Sequence, residues 1–317
     1  MPRQRGVALI TALLVVAVAL IMATAMATRQ HLDIRRTGGM LHSEQSWAYV
    51  LGAENWARMV LRRDREDGDS DTLNESWSTQ PPVSFVEGGS IVGRLLDMQG
   101  RFNVNSLVID DAPATPAIAI YRRLLQRLEL DERLADVLVD WIDSDINVRV
   151  PDGAEDETYL LSDPPYRAAN RPLADISELR LVSGYTPEAV AALQPYLVAL
   201  PNPTPINVNT ADALLLSALV EGLSLGDGDA LAEGRGEEGY ESVATFTQDP
   251  VLNGKQIDPS LLSVQSDWFL LVTEASIGQG RARLASLIQR SGKEAHVVRR
   301  QREFFDAVAP AELDEAE

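Results

Sequence analysis

The densest set of side chains able to do chemistry lies in DWIDSDINVRVPDGAEDETYLLSD, residues 140–163. Asp143, Asp145 and Asn147 stand at i, i+2 and i+4 after an apolar, helix-like run, as the ligands of an EF-hand begin. The match then breaks. Val148 occupies the sixth position, where an EF-hand needs glycine, and Ala154 occupies the twelfth, with Glu155 one residue late. Two readings remain. The segment is a solvated acidic loop, or an irregular calcium loop in which a hard cation collects carboxylates that otherwise repel one another. For the second reading the candidate ligands are Asp143, Asp145, Glu155 and Asp156, with Asn147, Asp152 and Asp163 in reserve.

Little else suggests reactive chemistry. The chain has no cysteine, which excludes disulfides and thiolate metal sites, and its three histidines, His31, His42 and His296, are scattered. There is no G-x-S-x-G, H-E-x-x-H or phosphate-binding G-x-x-x-x-G-K. Asp140 and Asp143 flank Trp141, but spacing alone does not make them an acid–base pair. The sequence therefore argues against an enzyme. With 47 acidic and 28 basic residues the net charge is −19, which repels nucleic acid.

The elements that must carry the loop begin with an anchor. Residues 7–27 are apolar apart from Thr11 and Thr24, and 21 residues of helix span about 31 Å, the thickness of a bilayer core. Arg3 and Arg5 precede this run, so the short N-terminus stays cytoplasmic and the bulk is exported. Arg29, Arg35 and Arg36 on the far side oppose that bias. A cleaved signal peptide is one reading, with Ala25-Met26-Ala27 as the cleavage site, although the run is long for one. The other rests on Gly6, between RQR and VALITALLVVAVAL. This resembles a type IV prepilin leader and implies cleavage after Gly6, leaving Val7 as the first mature residue and the helix in place.

Beyond the anchor, an amphipathic helix should extend to about Arg63, with Leu41, Ala48, Leu51, Met59 and Val60 on its apolar side and Gly38-Gly39 kinking or loosening it. SFVEGGSIV reads as a hairpin with a glycine turn, and DWFLLVTEASIG, ARLASLIQRS and AHVVRRQREF read as three more strands. Between them the pattern is mostly helical, clearest in AIAIYRRLLQRLEL and ERLADVLVDWI. FNVNSL at 102–107 recurs as INVNTA at 206–211, with Asn105 and Asn209 expected to cap the helices that follow. The fold class is α+β: a long N-terminal helix and an antiparallel sheet, with a large helical domain inserted. The expected division is leader 1–6, membrane helix 7–27, first part of the sheet domain 28–106, inserted α-domain 107–262, and last part of the sheet domain with a tail 263–317.

INVNTADALLLSALVEGLS with ALAEGRGEEGYESVATF, and DISELRLVSGYTPEAVAAL around Gly184, resemble helix-hairpin-helix modules. A membrane-anchored DNA receptor of the competence type is therefore the rival reading. Charge opposes it, because residues 206–246 carry eight acidic residues and a single basic one, Arg235.

In the order of its parts the chain resembles the general secretion pathway protein K family, minor pseudopilins of type II secretion, across nearly its whole length. That resemblance implies processing by the prepilin peptidase, location in the cell inner membrane with a periplasmic body, and partners among the I- and J-type minor pseudopilins. It also implies bound calcium in the α-domain and no nucleic-acid ligand. Pilin-like chains carry glutamate at the fifth mature position, taken to pair with the next subunit's amine. Here that position is Thr11, a departure the K-type members share and one that suits the tip of the pseudopilus.

Overall fold

The computed structural model describes residues 4–79 and 83–302. Residues 1–3 of the expected leader, residues 80–82 and the tail from residue 303 lie outside the described residues. Helix α1 (Gln4–Asp67) is continuous for 64 residues, about 96 Å of rise. Helical structure runs through Gly38-Gly39 without a break and ends four residues past Arg63. Every described side chain from Val7 to Thr37 is exposed, so the first half of α1 stands clear of the body. No other helix among the described residues is long and apolar enough to cross a membrane.

The second half of α1 packs on a five-stranded antiparallel sheet whose spatial order follows the chain: β1 (Ser84–Val86), β2 (Gly89–Asp97), β3 (Trp268–Ile277), β4 (Gly280–Ser291) and β5 (Glu294–Gln301). Gly88 at φ +85° makes the β1–β2 turn, a conformation open to glycine without strain. The buried stripe of α1 is Ser46, Val50, Glu54, Ala57 and Leu61, spaced by three and four residues as one helical face requires. Of the expected stripe, Leu41, Ala48 and Met59 are exposed, while Leu51 and Val60 are half-buried against the core. The face was hidden in the sequence because two of its members are polar. Ser46 Oγ donates to the Gly280 carbonyl at 3.1 Å. Glu54 accepts from Ser286 Oγ at 2.7 Å and from both Arg300 Nε and Nη2 at 2.7 and 2.8 Å.

Everything between Asp97 and Trp268 is inserted between neighbouring strands β2 and β3. This block has its own large core, from Phe102 and Tyr121 through Leu138 and Trp141 to Leu215 and Phe246. Helices α2 (Thr115–Arg127) and α3 (Leu134–Ile142) match the two clearest helical patterns. α4 (Asp156–Tyr159), α5 (Pro187–Leu193), α6 (Ala213–Ala218), α7 (Leu225–Gly234) and α8 (Val243–Thr247) are shorter.

The sequence repeat is a structural one, with its asparagines in different roles from those expected. Asn103 and Asn207, not Asn105 and Asn209, cap the turns, accepting from the amides of Asn105 at 3.2 Å and Asn209 at 3.0 Å. Asn105 and Asn209 are buried clamps. Asn105 bonds both the N–H and the C=O of Leu173, at 2.8 and 2.9 Å. Asn209 does the same to Tyr240, at 2.7 and 3.0 Å. Each repeat opens on a two-residue parallel pairing, Phe102-Asn103 with Leu197-Val198 and Ile206-Asn207 with Leu262-Ser263. A cap serves local amides, whereas these side chains satisfy backbone far along the chain, which no local pattern announces.

Candidate functional site

Helix α3 ends at Ile142 because Asp143 turns extended, at ψ 164°. The chain then wanders through the acidic loop and re-enters a helical turn at α4. Three carboxylates of this segment are buried, Asp140, Asp143 and Glu155. Several of their oxygens have no hydrogen-bond partner: Asp140 Oδ1, Asp143 Oδ1, and both Oε1 and Oε2 of Glu155. Asn170 Oδ1 is likewise buried and unpartnered, while its amide donates to the Asp145 carbonyl at 2.8 Å. Anionic oxygens left bare in this way cost far more than paired ones.

The electrostatics agree. Burial, then the charges of Asp145, Asp140 and Asp111, push the Asp143 carboxyl up to about 7. Burial, then Asp140, Asp143, Asp145 and Asp156, push Glu155 up to about 7 as well. The nearby guanidiniums are engaged elsewhere. Arg149 Nε holds Asp136 at 2.6 Å, and Arg167 holds Asp156 at 2.6 Å.

The backbone around these groups is tightly folded. Asp140 Oδ2 accepts from the Arg149 amide at 2.9 Å, and the Gly153 amide donates to the Arg149 carbonyl at 2.7 Å. A Cβ on Gly153 would fall 2.0 Å from Asp140 Oδ2 and 2.6 Å from the Arg149 nitrogen. Glycine is thus required for this approach.

Of the four ligands suggested by sequence, Asp143 and Glu155 are buried and carry oxygens without a hydrogen-bond partner. Asp145 is exposed, and its Oδ1 accepts from the Asn147 amide at 2.7 Å. Asp156 is bound to Arg167 and to the Ala168 amide. Asp152 is half-buried and Asp163 exposed. The sequence reading did not select Asp140 or Asn170. Asp140 follows Asp136 by one helical turn on a buried face of α3, a signal visible as polar residues inside an apolar helix. Asn170, at φ +45°, gave none. Hard oxygen donors, most of them carboxylates, are the donor set that calcium takes.

A second acidic group lies where α1, the sheet and the inserted block meet. Asp64, Asp71 and Glu75 approach within 4.8 Å of one another. Here the chain supplies its own cation. Buried Arg290 of β4 donates to Asp64 at 2.9 Å, to both Asp71 oxygens at 2.5 and 2.6 Å, and to the Ser266 carbonyl at 2.6 Å. Asn207 ties the inserted block to the same cluster through the Asp71 carbonyl, Asp97 and Ser266. Burial, then the charges of Glu75 and Asp71, push Asp64 up to about 7 against the pull of Arg290.

At the other end of the molecule, Thr11 sits on exposed α1. Its hydroxyl donates to its own helix, at 3.1 Å to the Val7 carbonyl and 3.0 Å to that of Ala8. Gly6 lies within the helix as well. In the second helix-hairpin-helix-like segment, the guanidinium of Arg235 caps the Asn209 and Ala211 carbonyls at 2.6 and 2.7 Å. The sole basic residue of that segment is therefore spent inside the fold and is not available to a phosphate.

Two family models of type II secretion system protein K match the chain, over residues 100–202 and 206–265. Each begins where one copy of the FNVNSL/INVNTA repeat opens. Type II secretion system protein K of Pseudomonas aeruginosa is 39% identical over 93% of this chain and 91% of its own length. That of Klebsiella pneumoniae is 35% identical over 94% and 96%. The structure of the GspK–GspI–GspJ complex from the type 2 secretion system of enterotoxigenic Escherichia coli contains a similar chain, with a TM-score of 0.75 and 30% identity. The match covers 85% of this chain and all of that one. None of these relatives is a DNA receptor, and the rival reading has no support among them.

Proposed function

We propose that this chain, which belongs to the type II secretion system protein K family and is a minor pseudopilin, occupies the tip of the pseudopilus and there starts or caps the assembly that exports folded proteins. The observation that carries the tip reading is Thr11. A hydroxyl that donates to its own helix is at best a neutral acceptor for the amine of a subunit stacked above. A glutamate at this position would offer a charge.

In this reading the prepilin peptidase cuts after Gly6. Residues 7–27 then hold the subunit in the inner membrane, with the body in the periplasm, until assembly. Ala17, Ala19 and Ala23 allow close helix packing against neighbours. The inserted block, hung between β2 and β3, adds bulk that a regular filament could not repeat. The relative with a solved structure is in complex with GspI and GspJ, so the partners proposed here are I- and J-type minor pseudopilins.

Calcium belongs to the same proposal. Asp140, Asp143, Glu155 and Asn170 would hold it, with Asp145 and Asp156 at the margin of the site. The bound ion would supply the positive charge that these buried oxygens lack. Its role is structural: it holds the loop between α3 and α4 onto the core formed by Trp141, Tyr159 and Tyr166.

The test is assembly. The mature full chain in detergent, mixed with its I- and J-type counterparts, should give one complex with a single copy of each, read by light scattering after size exclusion. Failure to form any complex, or incorporation of many copies of this chain, would contradict the tip reading.

A further inference from the structure

A basic segment of α1 follows the apolar run. Residues 28–36 read TRQHLDIRR and contain three arginines against one aspartate. All are exposed. The body first touches α1 at His42, whose Nδ1 accepts from the Gln279 amide at 3.3 Å. Residues 28–41 therefore form a bare stalk of about 21 Å between the apolar run and the body.

We propose that Arg29, Arg35 and Arg36 form a collar that binds anionic phospholipid headgroups on the outward side of the bilayer crossed by residues 7–27. This rests on the membrane-anchor reading above. Three observations carry it. The first is depth. Arg29 lies about 3 Å beyond Ala27 along the helix, and Arg36 about 14 Å beyond it, while a headgroup layer is about 5–8 Å thick. Side chains on a helix lean toward its N-terminus. Here that direction points back to the membrane, and the long stems of Arg35 and Arg36 reach down to the headgroups.

The second observation is distribution. At 100° per residue, Arg29 and Arg36 fall about 20° apart on one face of α1, and Arg35 lies about 100–120° round from them. The three guanidiniums thus spread over about a third of the helix circumference, and their long stems reach headgroups on more than one side of it.

The third is charge. The chain carries −19 overall, yet this stretch is positive. The body begins about 22 Å beyond Ala27, more than two Debye lengths at physiological salt, so it does not cancel the collar's attraction. The negative body is meanwhile kept away from an anionic surface. A collar of this kind fixes the depth of the helix and holds the body upright above the bilayer while the subunit waits to be assembled.

The experiment uses the full mature chain in bilayers of phosphatidylcholine and phosphatidylglycerol with spin-labelled lipids. Each arginine near such a surface is worth up to about fivefold before screening. Phosphatidylglycerol should therefore be held at the protein boundary at least about threefold over phosphatidylcholine, and the preference should fall to near one in the R29Q/R35Q/R36Q variant and in molar salt. These side chains touch nothing in the body, so the variant's near-ultraviolet circular dichroism should match that of the wild type. An equal preference in wild type and variant would overturn the collar. So would a variant that keeps its lipid preference but no longer co-purifies with partner pseudopilins, because the arginines would then serve a protein. Release of the wild-type chain from the bilayers by alkaline carbonate would instead overturn the anchor reading on which the collar depends.

Discussion

Replacing Asp143 by asparagine removes one buried negative charge while nearly keeping the side chain's volume, and its effect should change sign with calcium. The carboxyl is raised from its ordinary 3.8 to about 7, chiefly by burial and then by the charges around it. A shift of about three units corresponds to roughly 4 kcal/mol at most. Water reaches neighbouring Asp145 and Asn147, so about half of this, roughly 2 kcal/mol, is the realistic cost of ionising Asp143 without a cation. Because the folded state holds this proton more tightly than the unfolded one, the contribution to stability is full below about pH 4. It is lost as pH rises through about 7. At pH 8 in chelator, Asp143→Asn should therefore raise the melting temperature by about 4–8 °C, and near pH 4 the gain should vanish. With calcium at a hundred times its dissociation constant the wild type gains about 2.7 kcal/mol, whereas the variant, short of a ligand, gains little, and the order of the two melting curves reverses. Tryptophan fluorescence suits the assay, since Trp141 lies between Asp140 and the loop. A variant that is no more stable than wild type in chelator at pH 8, or that keeps the full calcium response, would refute the reasoning.

Three further outcomes follow from the geometry. Arg290→Met should destabilise the chain by about 3–5 kcal/mol, because it strands Asp64 and Asp71 without a counter-charge; chemical denaturation reads this, and a loss under 1 kcal/mol would contradict it. Asn105→Ala and Asn209→Ala should each cost about 2–4 kcal/mol by leaving two or more backbone groups unpaired, and the two losses should be similar if the repeats are equivalent. Gly153→Ala should abolish the calcium-induced rise in melting temperature, since its Cβ would displace Asp140; an unchanged response would mean that Asp140 is not a ligand.

The parts of this fold that were legible in the sequence are those written in apolar periodicity or turn chemistry. The uninterrupted run after Gly6, the glycine turn of the first hairpin and the turn-bounded runs of the last three strands all announce themselves. Polar burial does not. Ser46 and Glu54 sit on the face that α1 buries, because the sheet supplies partners for them. The asparagine repeat was visible, but the clamps on Leu173 and Tyr240 depend on chain brought back from 68 and 31 residues away. Gly38-Gly39 was expected to disturb a helix that runs on through it, since the cost of glycine is about 1 kcal/mol per residue and a long helix absorbs that. The acidic loop was visible in the sequence as a segment. Which of its carboxylates turn inward was decided by the tight turn at Gly153 and by the two arginines, and no spacing rule contains either.

The central claim is that this is a processed pseudopilin whose apolar helix stays with the mature chain. Intact mass spectrometry of the protein from cells with and without the prepilin peptidase tests it most directly. The account predicts loss of Met1–Gly6 and nothing more when the peptidase is present, and an uncut leader when it is absent. Cleavage near Ala27, or a leader that remains whatever the peptidase, would contradict it.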